Sequence, residues 1–225
     1  MTMRLYGTKI SPYYARIWLQ AQLKRLPLTL VEGSAEDVIP EAMKRRNPIG
    51  KIPFLEDGDQ MFFESEVICE YLEDRFPIPP LLPTDPFARS HARLLTRILD
   101  LYVLQPTHRL APQIRAPQRD EALIARGFED VARGLEHLAS FLKPGPYAMG
   151  AKPSLADCAL ATGLWYFPRI LVRLRPDYAL PGEGPVGVYW RFICTAPVFA
   201  PSIDEMTEAH VAFRRELDKK LAAGR

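Results

Sequence analysis

Cysteines and long apolar runs are scarce in this 225-residue chain, and each scarcity excludes a class of protein. The three cysteines lie far apart and form no C-x-x-C pair, which argues against a disulfide framework and against a cysteine metal site. No stretch approaches the ~20 apolar residues of a membrane span, and the N-terminus lacks the apolar core of a signal peptide. We therefore expect a cytoplasmic protein with no membrane and no metal, in which Cys69, Cys158 and Cys194 are buried thiols.

A strong excess of charge of either sign is also missing. The chain carries 29 Lys and Arg against 27 Asp and Glu, a net charge of +2. Nucleic-acid-binding proteins usually show a larger basic excess, so we expect no nucleic acid partner. The hydrophobic content of 48% is enough for one large core or two smaller ones.

The first third of the chain alternates strand and helix patterns. A short strand, MRLYG, precedes an amphipathic helix that Ser11 caps and Pro12 opens. A second strand, LTLVEG, and an irregular short helix, DVIPEAMKRRNP, follow. The segments KIPFLED and QMFFES flank Gly58 as a hairpin, and SEVICEYLEDRF reads as a helix capped by Ser65. This order predicts a small mixed sheet with helices packed on it.

The remainder of the chain reads as proline-rich and then helical. The stretch PIPPLLPTDP holds five prolines in ten residues, which is typical of an extended linker. Helical patterns follow at 87–104, where Pro106 should end the helix, and at 120–142, 189–195 and 202–220. Another begins at Ser154, with Asp157 at capping-box spacing. We predict an α/β domain at 1–78, a linker at 79–86 and an all-helical domain at 87–225.

Three segments together resemble the cytosolic glutathione transferase family. They are SPYYARIWLQAQL, NPIGKIPFLEDGDQMFFESEVICEYLEDRFP and PSLADCAL, in that family's order and spacing across essentially the whole chain. The resemblance implies a thioredoxin-like N-terminal domain, an all-α C-terminal domain, glutathione as co-substrate, a role in detoxification and a homodimer. The Ser-Pro opening of the first helix is similar to the serine-type tau, zeta and theta classes.

Two further sites in the first domain suit a tripeptide ligand. Pro53 at the start of a strand suggests a cis bond after Ile52, as the family has there, which leaves the Ile52 backbone free to pair with an extended peptide. Ser65 lies at a helix N-terminus that favours a carboxylate, and Glu64 can hold an ammonium group. The family pattern also implies that Lys51 pairs with the glycyl carboxylate, and a further cation is expected among Lys44, Arg45 and Arg46.

Ser11 is the residue that we expect to activate the glutathione sulfur. A free thiol has a pKa of about 8.5, and the thiolate is the nucleophile. A hydroxyl that donates to the charged sulfur contributes roughly 1.5–3 kcal/mol, and the helix N-terminus adds roughly 0.3–1 kcal/mol. Tyr6, Tyr13 and Tyr14 remain rivals for this role.

The second substrate is expected between the domains. The candidate side chains suit an apolar, planar electrophile with an acidic group that faces Arg169; they are Tyr13, Tyr102, His108, Trp165, Tyr166 and Arg169. The predicted function is a glutathione transferase that attacks such an electrophile. The alternatives are a glutathione-dependent lyase or isomerase, by ether cleavage or dehalogenation, and a non-catalytic glutathione-binding protein.

Overall fold

A computed structural model of the chain describes residues 3–39 and 45–223. It divides into two compact units, the first formed by Met1–Phe76 with Pro197–Arg225 and the second by Pro77–Ala196. The predicted fold class, an α/β domain followed by helices, is confirmed. The finer division into 1–78, 79–86 and 87–225 stays a prediction.

The first unit is built on a four-stranded mixed sheet. The strands are β1 (Met3–Gly7), β2 (Leu28–Glu32), β3 (Phe54–Asp57) and β4 (Gln60–Phe63), in the order β2-β1-β3-β4. β1 pairs with β2 in parallel, whereas β3 is antiparallel to both β1 and β4. Gly7 ends β1 with a φ of 150°, and a Cβ there would lie 2.6 Å from the Tyr14 ring. The glycine therefore allows the first helix to turn back closely over the sheet.

Nine α-helices lie within residues 3–39 and 45–223. They are α1 (Pro12–Lys24), α2 (Ala35–Val38), α3 (Ser65–Arg75), α4 (Pro86–Ile98), α5 (Gln105–Leu110), α6 (Glu121–Phe141), α7 (Leu155–Leu171), α8 (Gly184–Thr195) and α9 (Ala200–Ala223). A π-helical turn, Leu99–Leu104, joins α4 to α5. The short helix predicted at 37–48 is observed only as Ala35–Val38, with Ile39 as its C-cap. Residues 40–44 of the predicted range lie outside the described residues, and residues 45–48 are not helical.

The structure corrects the predicted cap of α3. Glu64, not Ser65, occupies the N-cap position, and it makes no side-chain cap bond. Ser65 is the first helical residue and is buried. A cap residue is defined by its non-helical backbone, which residue type alone does not fix.

The predicted break at Pro106 is wrong, because the helical path runs through this residue. Proline lacks the N–H that an α-helix needs for its i→i−4 bond. A π-helical turn pairs each N–H with the carbonyl five residues earlier, and the Gln105 N–H accordingly bonds to the Asp100 carbonyl. This wider turn carries the chain into α5 without a break.

Helix α9 belongs to the first unit although it lies at the other end of the chain. Its Ser202 hydroxyl donates to the Gln22 Oε1 of α1 at 2.7 Å, and its Met206 is fully buried. Glu205 lies 3.4 Å from the Lys9 ammonium group in the loop between β1 and α1. Lys9 also pairs with Glu32 at the end of β2. The last helix thus holds the loop that carries Ser11.

A buried capping box anchors α7 in the second unit. The Asp157 carboxylate accepts bonds from the Ser154 N–H and hydroxyl, as the spacing predicts, and also from the Ala148 N–H and the Tyr189 hydroxyl. The Leu155 N–H bonds to the Leu81 carbonyl, so the proline-rich stretch packs against α7. Among the described helices, none combines the length and the apolar character that a membrane crossing requires.

Candidate functional site

Three loop segments meet at one edge of the sheet, the edge formed by the ends of the strands and not by an outermost strand. Tyr6 of β1 lies opposite Phe54 of β3, and Phe54 lies opposite Phe63 of β4. Because β3 runs antiparallel to the other two, the end of β1, the start of β3 and the end of β4 share this edge. The loops that bear Ser11, the Ile52–Pro53 bond and the Glu64–Ser65 pair therefore all leave the sheet on the same side.

Ser11 presents a hydroxyl whose own proton is uncommitted. Its backbone caps α1, and its Oγ accepts from the Tyr14 N–H at 3.5 Å, the long limit of a hydrogen bond. Among the described residues the hydroxyl donates to no acceptor, and the side chain is half-exposed. A negatively charged atom beside it would receive this proton as well as the field of the helix N-terminus.

Two of the rival tyrosines are poorly placed for this role, one because its hydroxyl is already bonded and the other because it is buried. The Tyr6 hydroxyl donates to Glu56 Oε2 at 2.8 Å, and its ring stacks on Phe54 at 4.3 Å. Burial and the Glu56 bond raise the pKa of Tyr6. Tyr14 is 0% exposed, its hydroxyl has no partner among the described residues, and burial raises its pKa. Tyr13 is half-buried, with the Arg16 guanidinium 5.1 Å from its ring.

The Ile52–Pro53 peptide bond is cis, as the position of the proline suggests. Ile52 lies just before β3, and neither its N–H nor its carbonyl is paired within the described part of the chain. The preceding turn is held by Asn47, which donates to the Lys51 carbonyl and accepts from the Gly50 N–H. The Lys51 side chain is exposed. This segment offers one donor and one acceptor to an extended peptide.

Glu64 adopts a backbone conformation that non-glycine residues rarely take. Its φ is 64° and its ψ is 119°, and its carboxylate is exposed. Such a conformation costs on the order of 1–3 kcal/mol and is typical of functional sites. It brings the Glu64 side chain and the N-terminal end of α3 together at the edge of the sheet.

The cations expected near the second helix are only partly described. Lys44 lies outside the described residues, and Arg45 is exposed. Arg46 pairs with Glu56 Oε1 at 3.0 Å and donates to the Asp59 carbonyl. Glu56 therefore joins Arg46 to Tyr6, a network that the sequence reasoning missed. The sequence signal for this network was Glu56, an acidic residue that follows two apolar residues within the strand FLED.

Four of the second-substrate candidates, His108, Trp165, Tyr166 and Arg169, lie close together in the second unit. The His108 and Tyr166 rings are 5.5 Å apart, and Arg169 follows one turn along α7. The Arg169 guanidinium lies 4.1 Å from the Trp165 ring and donates to the Trp165 carbonyl. Burial lowers the pKa of both His108 and Arg169. Tyr102 stands apart from this cluster, half-exposed beside His137.

Comparison with known families identifies the chain. The glutathione S-transferase N-terminal domain matches residues 5–80, and the glutathione S-transferase C-terminal domain matches residues 121–191. The chain belongs to the glutathione S-transferase family.

Individual relatives carry different names. A stringent starvation protein A homolog from Haemophilus influenzae is 31% identical over 207 residues, 90% of this chain and 91% of the relative. A maleylpyruvate isomerase from a Ralstonia species is 32% identical over 186 residues, 77% and 86% of the two chains. Among solved structures, a glutathione S-transferase from Methylobacterium radiotolerans in complex with glutathione sulfonate is 26% identical, with a TM-score of 0.76 over 90% of this chain and 95% of its own.

Proposed function

We propose that the protein is a glutathione transferase in which Ser11 keeps the glutathione sulfur ionised. The observation that carries the proposal is the Ser11 hydroxyl at the start of α1, which donates to no acceptor among the residues that the structure describes. A solved relative supports glutathione as the ligand, since the Methylobacterium radiotolerans structure holds glutathione sulfonate. A hydroxyl that donates to a thiolate stabilises the charged form and lowers the thiol pKa.

The remaining glutathione contacts follow from the same edge of the sheet. We assign the peptide backbone of glutathione to the unpaired N–H and carbonyl of Ile52, next to Pro53. The γ-glutamyl end goes to Glu64 and Ser65, where a carboxylate meets the helix N-terminus and an ammonium group meets the Glu64 carboxylate. Lys51, which is exposed, is assigned to the glycyl carboxylate.

The reaction is a nucleophilic attack by sulfur. The thiol proton leaves to solvent, and the thiolate forms a C–S bond at an electrophilic carbon of the second substrate. In a substitution the leaving group departs with the electron pair of the broken bond. In an addition to an activated double bond, solvent protonates the neighbouring carbon. Ser11 donates a hydrogen bond throughout and is not itself consumed.

We assign recognition of the second substrate to His108, Tyr166 and Arg169, with Tyr13 and Tyr102 as further candidates. An arginine that is stacked on Trp165 is fixed in direction, which suits it to hold a carboxylate. The two neighbouring rings supply an apolar surface for a planar group. The proposed electrophile is therefore planar and bears an acidic group.

The test combines binding and turnover. Wild type should be retained on immobilised glutathione and should conjugate chlorodinitrobenzene, whereas Ser11→Ala should be retained but lose most of its kcat. Tyr13→Phe serves as the matched control and should keep wild-type kcat. Unchanged kcat in Ser11→Ala, together with loss in Tyr13→Phe, would transfer the role to Tyr13. Retention without turnover of any electrophile would favour a non-catalytic binding protein.

A glutathione-dependent isomerase is the second candidate, because a relative at 32% identity is named maleylpyruvate isomerase. The thiolate would add to a cis double bond, the carbons would rotate about the resulting single bond, and elimination would return the thiolate. Arg169 would hold a carboxylate of the substrate during both steps. Glutathione-dependent cis-to-trans conversion of a maleyl acid, without net consumption of glutathione, would select this activity over conjugation.

A further inference from the structure

The turn that precedes the Ile52–Pro53 segment is held by one buried side chain. Asn47 is 1% exposed, and its backbone carbonyl accepts from the Gly50 N–H at 3.1 Å, which closes the turn over residues 47–50. Its side-chain Oδ1 accepts from the same N–H at 3.0 Å, and its Nδ2 donates to the Lys51 carbonyl at 3.2 Å. The Asn47 amide therefore bonds to both residues that lead into the Ile52 segment.

The two partners of the Asn47 amide determine its orientation. The Gly50 N–H can only donate and the Lys51 carbonyl can only accept, so a rotated amide would set donor against donor and acceptor against acceptor. Gly50 has a φ of 66°, and a Cβ there would have no atom within 4 Å. Its backbone angle, and not a lack of space, therefore favours glycine at this position.

The bond to the Lys51 carbonyl also sets the direction of the Ile52 N–H. The two groups belong to one trans peptide unit, which is planar, so they point in opposite directions. Since the carbonyl faces the buried Asn47 amide, the N–H faces away from it, and this N–H has no partner within the described residues. The Ile52 side chain is held as well, because it packs against the buried cluster that contains Tyr6 and Phe54.

We propose that Asn47 is a positioning residue that orients the Ile52 N–H towards a peptide carbonyl of glutathione. The inference rests on the proposed function, which assigns the glutathione backbone to Ile52. A donor that is already fixed in direction loses little freedom when the ligand binds, and this increases affinity. The contact is the same in the bound ground state and in the transition state, so Asn47 should act on glutathione affinity and not on kcat. This separates it from Ser11, whose effect should fall on kcat.

Glutathione titrations of wild type and three variants test the proposal. Asn47→Leu removes both side-chain bonds at nearly constant volume and should raise the Kd for glutathione roughly tenfold, with kcat at saturation close to wild type. Asn47→Asp keeps an acceptor for the Gly50 N–H but, when ionised, has no donor for the Lys51 carbonyl. At about pH 8 and in about 0.5 M salt, which screens the added charge, it should weaken binding almost as much. Pro48→Ala, an exposed change that leaves both bonds in place, should keep the wild-type Kd.

The amide resonance of Ile52 provides a measurement that a loss of stability alone would not change. In wild type its proton signal should move downfield when glutathione binds, because the N–H enters a hydrogen bond. In Asn47→Leu, at a temperature where thermal unfolding shows that the variant is folded, the movement should be smaller. Pro48→Ala should give the wild-type movement.

Three outcomes would overturn the proposal. One is an unchanged Kd in folded Asn47→Leu. Another is a wild-type Kd in Asn47→Asp, which would assign the role to the turn bond with Gly50 alone. The third is an Ile52 amide signal that stays in place when wild type binds glutathione. Absence of glutathione binding by wild type would contradict the proposed function itself, and the role of Asn47 with it.

Discussion

At the scale of single residues, the hydroxyl groups around the start of α1 differ in what they already bind. Tyr6 donates to Glu56, Tyr14 is enclosed, and Ser11 keeps its proton. The sequence alone placed all three near the site and left the choice open. The folded protein distinguishes them by bonding and by burial: the Tyr6 hydroxyl already donates to a carboxylate, and the Tyr14 hydroxyl is fully buried, so neither is available to a thiolate.

Tyr6→Phe should therefore leave the rate of conjugation nearly unchanged. The substitution removes the bond to Glu56 and should lower the free energy of unfolding by about 1.5 kcal/mol, the value of a hydrogen bond to a charged group. Steady-state kinetics and urea denaturation measure the two effects separately. A fall in kcat comparable to that of Ser11→Ala would contradict the assignment of Tyr6 as a structural residue.

Two substitutions at Glu64 separate the effect of its backbone strain on stability from the effect of its charge on glutathione binding. Glu64→Gly relieves a strain of about 1–3 kcal/mol at the cost of about 0.5–1 kcal/mol of chain entropy, so it should stabilise the protein by about 1 kcal/mol. Glu64→Gln keeps the strain and should not stabilise. Both variants should raise KM for glutathione, because both lose the carboxylate.

Denaturation curves and KM values for the two variants decide this point. Equal stabilisation by glycine and by glutamine would mean that the φ of 64° is not the source of the effect. An unchanged KM in both variants would remove Glu64 from the proposed glutathione contacts.

At the scale of elements, hydrophobic periodicity and turn residues predicted the strands and most helices within a few residues. The cap of α3 and the passage through Pro106 were missed. The first depends on the positive φ of Glu64, which cannot be predicted from the residue type. The second depends on the π-helical turn before Pro106, which places the proline in the first turn of α5, where its missing N–H is tolerated.

Because α6 packs closely on the π-helical turn, Gly134→Ala should lower the free energy of unfolding strongly. Gly134→Ala would bring a Cβ within 2.2 Å of the Tyr102 carbonyl oxygen, which only movement of backbone can relieve. We expect the free energy of unfolding to fall by about 3 kcal/mol, although alanine has the better helix propensity. Gly127→Ala, on the same helix, has atoms of the Leu110 side chain as its nearest neighbours, which can shift more easily than backbone, so it should cost less. Similar melting temperatures for the two variants would contradict the close packing of α6 on the π-helical turn.

At the scale of the whole molecule, the sequence order does not reveal which unit each helix joins. We predict the helix pattern at 202–220 as part of the helical domain, and this division of the chain stays a prediction. Contacts group Pro197–Arg225 with the first unit, through pairs such as Ser202 with Gln22. Such pairs join residues about 180 positions apart, and local patterns carry no information about them.

A substitution of a core residue in α9 should therefore lower the free energy of unfolding of the protein. Met206→Ala removes a fully buried side chain and should lower the free energy of unfolding by about 2–5 kcal/mol. Val211→Ala, at an exposed position of the same helix, should change it by only about 0.5 kcal/mol. Equal, small effects in thermal denaturation would show that α9 is not packed as described.

The pKa of glutathione bound to the protein decides whether Ser11 keeps the sulfur ionised. Ultraviolet absorbance of the thiolate, followed against pH at saturating glutathione, reports this value. Wild type should give a pKa below the ~8.5 of a free thiol, and Ser11→Ala should raise it by roughly 1–2 units. A bound thiol that titrates like free glutathione in wild type, or an identical pKa in Ser11→Ala, would contradict the account.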